Sequence, residues 1–276
     1  MPKLGSSGLP AGEDAMLELP IVAHQRRIRE FLLLEEPREV IERLEGYSVG
    51  LISREEARPL ILRYEWLRNM GRAQYFVGLL SPLRRLHGVV CFGYGPAGRI
   101  RELIGQPALC LERGACVHYA PRNSASFLIR HGCRLIFRLT GIERFFAYAD
   151  PMAGEYGGVY QAAGWIYLGQ GLDGNKGRKR RFFVLPPGGD ADNAADWRTT
   201  RDLRRAGRRL TFAQARELGW RIAMREGKHV YAVHIGRTRR LWRKTMRTLP
   251  YPAPRPELKR DKNARKNGQS SRQETA

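Results

Sequence analysis

Acidic residues are scarce in this 276-residue chain: 27 Asp and Glu stand against 49 Lys and Arg, a formal net charge of +22. An excess of that size goes beyond what solubility needs and makes a polyanion, nucleic acid first, the expected partner. Long apolar runs are absent too. No stretch is long enough to cross a bilayer and no terminal segment is strongly amphipathic, so no membrane partner is expected. The first twenty residues lack the apolar core of a secretory signal, and a cytoplasmic location is expected, that of the host cell if the chain is viral. Cysteine is sparse: Cys91, Cys110, Cys116 and Cys133 sit in apolar runs with no Cys-x-x-Cys pair and no matching histidines. They read as buried reduced thiols, and no metal site is expected.

What is present divides the chain into four parts. Residues 1–45 form an N-terminal extension with one or two amphipathic helices over 21–44. Residues 46–172 carry alternating strand and helix patterns. Residues 173–250 are a basic appendage, and 251–276 a polar, basic tail that cannot bury enough apolar surface to order itself. Within the second part, Ser53-Arg54-Glu55-Glu56 is a capping-box pattern that starts a helix. Pro59 should interrupt or restart that helix, and Gly71 should end it. Residues 73–80 and 86–92 read as antiparallel strands and 108–119 as a third. Residues 124–139 read as a helix with Leu128, Leu135 and Leu139 on one side and a basic stripe of Arg130, Arg134 and Arg138. Beyond residue 172, a helix is expected from Thr211 to near Gly227, an extended segment over 228–235, and a basic helix over 237–249.

The most informative stretch is Phe145-Phe146-Ala147-Tyr148-Ala149-Asp150-Pro151, followed by Gly157-Gly158-Val159-Tyr160-Gln161-Ala162-Ala163-Gly164-Trp165. It reads as a buried strand ending on a carboxylate, a Gly-rich turn, and a short helix presenting a tyrosine. Strand ends that open into Gly-rich loops are where open α/β sheets bind ligands.

Six blocks in order carry a family resemblance: Leu62-Arg63-Tyr64-Glu65-Trp66-Leu67, Gly88-Val89-Val90-Cys91-Phe92-Gly93, Glu112-Arg113-Gly114-Ala115-Cys116-Val117, Pro121-Arg122-Asn123-Ser124-Ala125-Ser126, Ala147-Tyr148-Ala149-Asp150-Pro151 and the Val159 to Trp165 block. Residues from about 55 to 171 resemble a GNAT-type acyltransferase core, and more narrowly the Mom-like phage proteins that modify bases in viral DNA. The resemblance implies an α/β fold: a mixed, twisted sheet flanked by helices, its central strands splayed to admit an acyl donor. It also implies that the donor pyrophosphate rests on amides at the start of the helix near Ser124, where free N–H groups and the helix dipole favour an anion. Arg122 fits the first position of the family loop, but Ala125 and Phe127 replace its two small residues. That departure argues against acyl-CoA and not against an anionic donor in general, so the donor stays open between acyl-CoA and another acyl donor. The acid and tyrosine of the two late motifs map onto Asp150 and Tyr160. A histidine-tyrosine pair of that group has no match, since Glu65-Trp66 stands there.

Acyl transfer to an amine needs a base for the amine and a donor of hydrogen bonds or protons to the leaving side. Asp150 is the candidate base or orienting carboxylate, or else caps its Asp-Pro turn. Tyr160 is the candidate acid, or else a core aromatic. Glu112 and Arg113 stand in an apolar strand, where alternation puts neighbours on opposite sides, so one of them, Glu112 in the catalytic set, faces the cleft or an edge. Arg122, Asn123, Ser124, Ala125 and Ser126 are the donor-binding candidates, with Asn123 or Ser124 also capping the helix. Tyr64, Glu65 and Trp66 are candidates for the acceptor pocket, or the tryptophan is core. Lys176, Arg178, Lys179, Arg180, Arg181, Arg239, Arg240, Arg243 and Lys244 are candidates for tracking a phosphate backbone. The function these imply is transfer of an acyl or aminoacyl group to a base, or a base-linked amine, in phage DNA. The alternatives are a transferase that uses aminoacyl-tRNA, and a non-enzymatic basic protein on the same scaffold.

Overall fold

The computed structural model describes residues 41–65, 67–95, 99–151, 154–171, 180–190, 196–199 and 212–252. The chain divides into two compact units. The larger is organised on a seven-stranded sheet of β1 (Ser48–Leu51), β2 (Tyr75–Leu80), β3 (Leu86–Gly93), β4 (Ala108–Cys116), β5 (Arg144–Ala149), β6 (Ile166–Gln170) and β10 (His229–His234), in the order β1-β2-β3-β4-β5-β10-β6. β4 and β5 run parallel and every other neighbouring pair antiparallel. A parallel pair needs a crossover, and the helix α3 (Ser124–Thr140) supplies it.

Strand alternation sends successive side chains to two separate cores. Val77, Leu79, Val90, Phe92, Phe145 and Ala147 pack with Leu128, Ile129, Cys133 and Ile136 of α3. Their neighbours Phe76, Val89 and Cys91 pack on the other face with Ala57, Leu60, Ile61 and Tyr64 of α1 (Arg54–Tyr64). Farther along that face, Phe146, Ile166 and Val230 pack with Ile100 and Ile104 of α2 (Arg99–Ile104) and Trp242 of α6 (Arg239–Thr245). All four cysteines are buried and free. The short helix α4 (Gly158–Ala162) leads into β6.

α1 begins with the expected capping box, Ser53 Oγ accepting from Glu56 N and Glu56 from Ser53 N. It runs through Pro59 without interruption and ends at Tyr64, ahead of Gly71. One missing amide at an exposed position is outweighed by the apolar face that α1 buries. The other departure from expectation is larger. Residues 229–234 insert between β5 and β6 in the main sheet, and Trp242 Nε1 donates to Ile104 O at 2.9 Å, so the C-terminal stretch of the expected appendage is part of the core. Its sequence alternates in the manner of a buried strand, but nothing local tells which sheet it joins.

The smaller unit contains β7 (Arg180–Leu185), β8 (Arg198–Thr199) and β9 (Arg221–Glu226) in the order β8-β7-β9, with α5 (Phe212–Glu217). The helix expected to reach Gly227 stops at Glu217, where Gly219 takes a positive φ and the chain turns into β9. The N-terminal extension to residue 40 and the tail from residue 253 lie outside the described residues.

Gly157 shows why one glycine of the rich turn is required. Its φ is +72°, and a Cβ there would sit 2.2 Å from the Tyr231 ring. Gly157→Ala is expected to cost about 2 kcal/mol or more, combining overpacking with an unfavourable backbone region; a thermal midpoint unchanged from the parent would contradict this packing.

Candidate active site

β4 and β5 pair only from Ala108↔Arg144 to Leu111↔Ala147. Beyond Leu111 the register between β3 and β4 slips, so that Cys91 faces Arg113 while Phe92 faces Leu111, and Glu112 becomes the extra residue of a bulge. The bulge overturns the expectation that Glu112 and Arg113 point to opposite sides. Both side chains border Gly71: a Cβ there would lie 2.8 Å from Glu112 Oε2 and 3.4 Å from Arg113 Cζ. Glu112 accepts from Arg72 N at 2.7 Å and from Gly95 N at 3.0 Å. Arg113 donates from Nε to Asn69 O at 2.9 Å and lies 3.9 Å from the Glu65 carboxylate.

At the end of β5, Asp150 is buried and pairs with Lys228 Nζ at 3.1 Å. Its amide donates to Glu155 Oε2 at 3.3 Å, and Glu155 N donates back to Asp150 O at 3.1 Å, closing the turn on itself. Glu155 follows the Asp-Pro turn in a Gly-rich segment, where charge is usually solvated. Here burial pushes its carboxyl up to about 8, with the Asp150 and Glu65 charges adding to the rise and Lys228 opposing it. Glu65, which is 4% exposed and accepts from Leu67 N at 2.8 Å, is pushed up to about 7 by burial, against Arg113. The Glu65 charge thus contributes to the rise at Glu155.

Tyr160, on α4, packs its ring at a tilt against Trp165 and Tyr231, both 5.3 Å away by centroids. Burial holds its phenol well above the usual range, and Glu155 and Glu65 raise it further. The phenol therefore stays protonated at any working pH. Among the described residues its hydroxyl has no hydrogen-bond partner, whereas neighbouring Tyr231 donates to Tyr156 O. Glu155 thereby links the two residues singled out from sequence: it bonds the amide of Asp150 and its charge reaches Tyr160.

The start of α3 differs from expectation in its capping. Asn123 takes the N-cap position with φ +67° and makes no side-chain cap bond. Ser124 Oγ donates to Pro121 O and Ser126 Oγ to Asn123 O, and Ser124 N also donates to Pro121 O at 3.2 Å, so the hydroxyls turn to carbonyls and give the amides that follow no side-chain cap. Ala125 is half-buried and Arg122 is exposed beside this turn. Tyr64 is buried with its hydroxyl 3.5 Å from His118 Nδ1. Trp66, Lys176, Arg178 and Lys179 lie outside the described residues, and Arg180 and Arg181 are placed on β7 by their backbone alone. Arg239, Arg240, Arg243 and Lys244 are exposed on α6. Among the described residues no cluster of His, Cys, Asp and Glu could hold a metal ion, and no helix is long and apolar enough to cross a membrane.

The Mom protein family matches residues 46–184, half of the chain. The chain belongs to this family. Its fold is a mixed sheet whose parallel central pair is spanned by a helix and stops pairing where a bulge begins. Similar solved structures include the ribosomal-protein-S5-alanine acetyltransferase of Vibrio fischeri, 14% identical, covering 49% of this chain and 91% of that one, TM-score 0.33. The spermidine N-acetyltransferase of Vibrio cholerae in complex with CoA and spermine is 11% identical, covering 47% and 89%, TM-score 0.32. The GNAT family N-acetyltransferase YhbS of Escherichia coli in complex with CoA is 14% identical, covering 47% and 72%, TM-score 0.31. No curated protein sequence matches the chain.

Two acids with raised values, Glu65 buried and Glu155 half-buried, also set a pH dependence. Their folded values, about 7 and about 8, lie above the ordinary 4.5, so the folded state binds more protons than the unfolded one between those limits. Their stabilising contribution is complete below pH 4.5 and is lost as pH rises through 8. The denaturation midpoint of the parent, relative to a Glu65→Gln/Glu155→Gln variant, should therefore fall between pH 5 and pH 8.5; parallel midpoints across that range would contradict the buried placement.

Proposed function

We propose that this Mom-family protein transfers an acyl or aminoacyl group to a base, or to an amine already carried on a base, in phage DNA. What supports the reading is the Glu155 carboxyl, which accepts from the amide of Asp150, is raised to about 8 and whose charge also raises the phenol of Tyr160. A base with a value near the working pH gives the best compromise between being ionised and being strong enough to take a proton. In its ionised form Glu155 takes the proton from the attacking amine as the C–N bond forms at the donor carbonyl. The bond from that carbonyl to the leaving sulfur or oxygen breaks, and Tyr160 gives its proton to the leaving atom. The proton then passes from Glu155 back to Tyr160 through solvent. Asp150 keeps Lys228 in place, and that ammonium offsets the negative charge that gathers when Glu155 ionises. Glu112, with both oxygens on backbone amides, shapes the two loops beside the cleft. The first turn of α3, which has no side-chain cap, and Arg122 receive the anionic part of the donor. If the acceptor lies in a duplex, it is flipped out to enter the cleft.

The donor-binding turn also favours aminoacyl-tRNA over acyl-CoA, because Ala125 and Phe127 stand where glycines would let a pyrophosphate approach, and Phe127 is packed against His131 with ring centroids 4.2 Å apart. Competition between the two donors separates these possibilities.

Mass spectrometry of nucleosides from DNA co-expressed with the protein, and with the enzymes that prepare its donor or acceptor, is expected to show a base heavier by one acyl or aminoacyl group. Glu155→Gln and Tyr160→Phe should each lower its yield by roughly 10²-fold or more, with the wild-type rate rising as pH increases towards about 8. Ordinary nucleosides under those conditions would reject the proposal, and full activity of Glu155→Gln would reject the role of that carboxyl.

A further inference from the structure

Away from the splayed strands, a cavity of about 300 Å³ opens between the middle of α3, the turn after α4, the end of β10 and the start of α6. Arg130 and Arg134 enter it from consecutive turns of α3, whose side chains stand about 5–6 Å apart at Cβ, and Arg239 enters from α6. Trp165, Ala163 and Val233 supply apolar wall. No carboxylate lines the cavity. Among the described residues none of the three guanidiniums has an acidic partner; Arg130 alone is engaged, donating to Ala162 O at 3.2 Å. Arg130, Arg134 and Arg239 are exposed around the mouth of this recess, and three like charges facing one opening create a positive potential that a bound anion relieves. The neighbouring imidazole reports the same field: His131 is held below its ordinary value by burial and by Arg134, Arg130 and Arg138.

We infer that this cavity is a phosphate-binding site for the backbone of a DNA strand, separate from the cleft that holds Asp150, Glu155 and Tyr160. A polymer fits better than a free anion because the cations do not stop at the rim. Arg138 is exposed one turn farther along α3, and Arg240 and Arg243 are exposed along α6, so positive charge continues on both sides as a track. Guanidinium groups suit phosphate, which they meet with paired N–H donors. The inference rests on the nucleic-acid part of the proposed function and not on its chemistry.

Anisotropy of a labelled DNA oligonucleotide, read as affinity across a salt series, tests it. The variant Arg134→Gln/Arg239→Gln removes two cations that hold nothing in the fold, and Arg58→Gln/Arg84→Gln removes two exposed cations elsewhere. The cavity variant is expected to lose about tenfold in affinity and to reduce the slope of log K against log salt by about 2. The control pair should change affinity less than threefold, and Arg134→Lys/Arg239→Lys should keep most of it. Thermal midpoints within experimental error of the parent establish that each variant is folded; should the Gln pair fail this, the Lys pair and the single variants decide, with loss of affinity in Arg134→Gln or Arg239→Gln alone supporting the site. Equal losses in cavity and control pairs would overturn the inference in favour of overall charge. Loss of inorganic phosphate binding with DNA affinity intact would make the cavity a free-anion site and overturn it too. A parent protein that does not bind DNA would reject this inference and the DNA acceptor together, whereas DNA binding lost with base modification by concentrated substrate retained would leave the catalytic reading standing.

Discussion

Everything at the candidate active site follows from where the parallel pairing of β4 and β5 stops. Four residues of ladder, ending at Leu111 and Ala147, join two antiparallel halves into one sheet. Past that point the bulge at Glu112 shifts the register of β4 on β3, and the charged side chains beyond the ladder form ion pairs, Arg113 with Glu65 and Asp150 with Lys228. Ionisable groups in such a setting must be paired, neutralised or put to use. Asp150 with Lys228 takes the first course. Glu65 and Glu155 are pushed toward the second, and Tyr160 rests in its protonated form.

The structure also explains why the site draws on distant parts of the chain. Tyr64 and Glu65 come from a helix on one face of the sheet, Tyr160 from a helix packed with the other, and Lys228 from the turn before β10. The insertion of β10 between β5 and β6 brings Lys228 beside Asp150 and places Tyr231 under Gly157, so a C-terminal strand completes a site whose other parts lie within residues 64–160. The same strand, with α6, forms one wall of the basic cavity.

Much of this was legible in the sequence. The capping box at Ser53, the strands on either side of Ser81-Pro82, the helix from Ser124 and the strand ending at Asp150 are all local patterns, and local hydrogen bonding and periodicity decide them. What escaped is non-local. A bulge has no sequence signature in Glu112-Arg113, so alternation misled. The proline in α1 read as a break because burial of the opposite face cannot be seen in one dimension. Asn123 looked like a side-chain cap, yet its left-handed backbone takes the side chain out of reach of the amides. Glu155 went unremarked in the sequence, and only the fold of its turn back onto Asp150 N shows it half-buried beside that residue. Lys228 was read as the start of a strand in a separate appendage, since nothing near it names its partner 78 positions earlier.

The central claim is that the parting of β4 and β5 holds carboxyl groups in a poorly solvated hollow beside a protonated phenol. The direct measurement is a carbon NMR titration of the protein labelled at its glutamate side-chain carboxyls, with Glu155 and Glu65 assigned by substitution. Midpoints near 8 for Glu155 and near 7 for Glu65 are the result this account requires. Midpoints for both near 4.5, the ordinary value for a solvated glutamate, would contradict it.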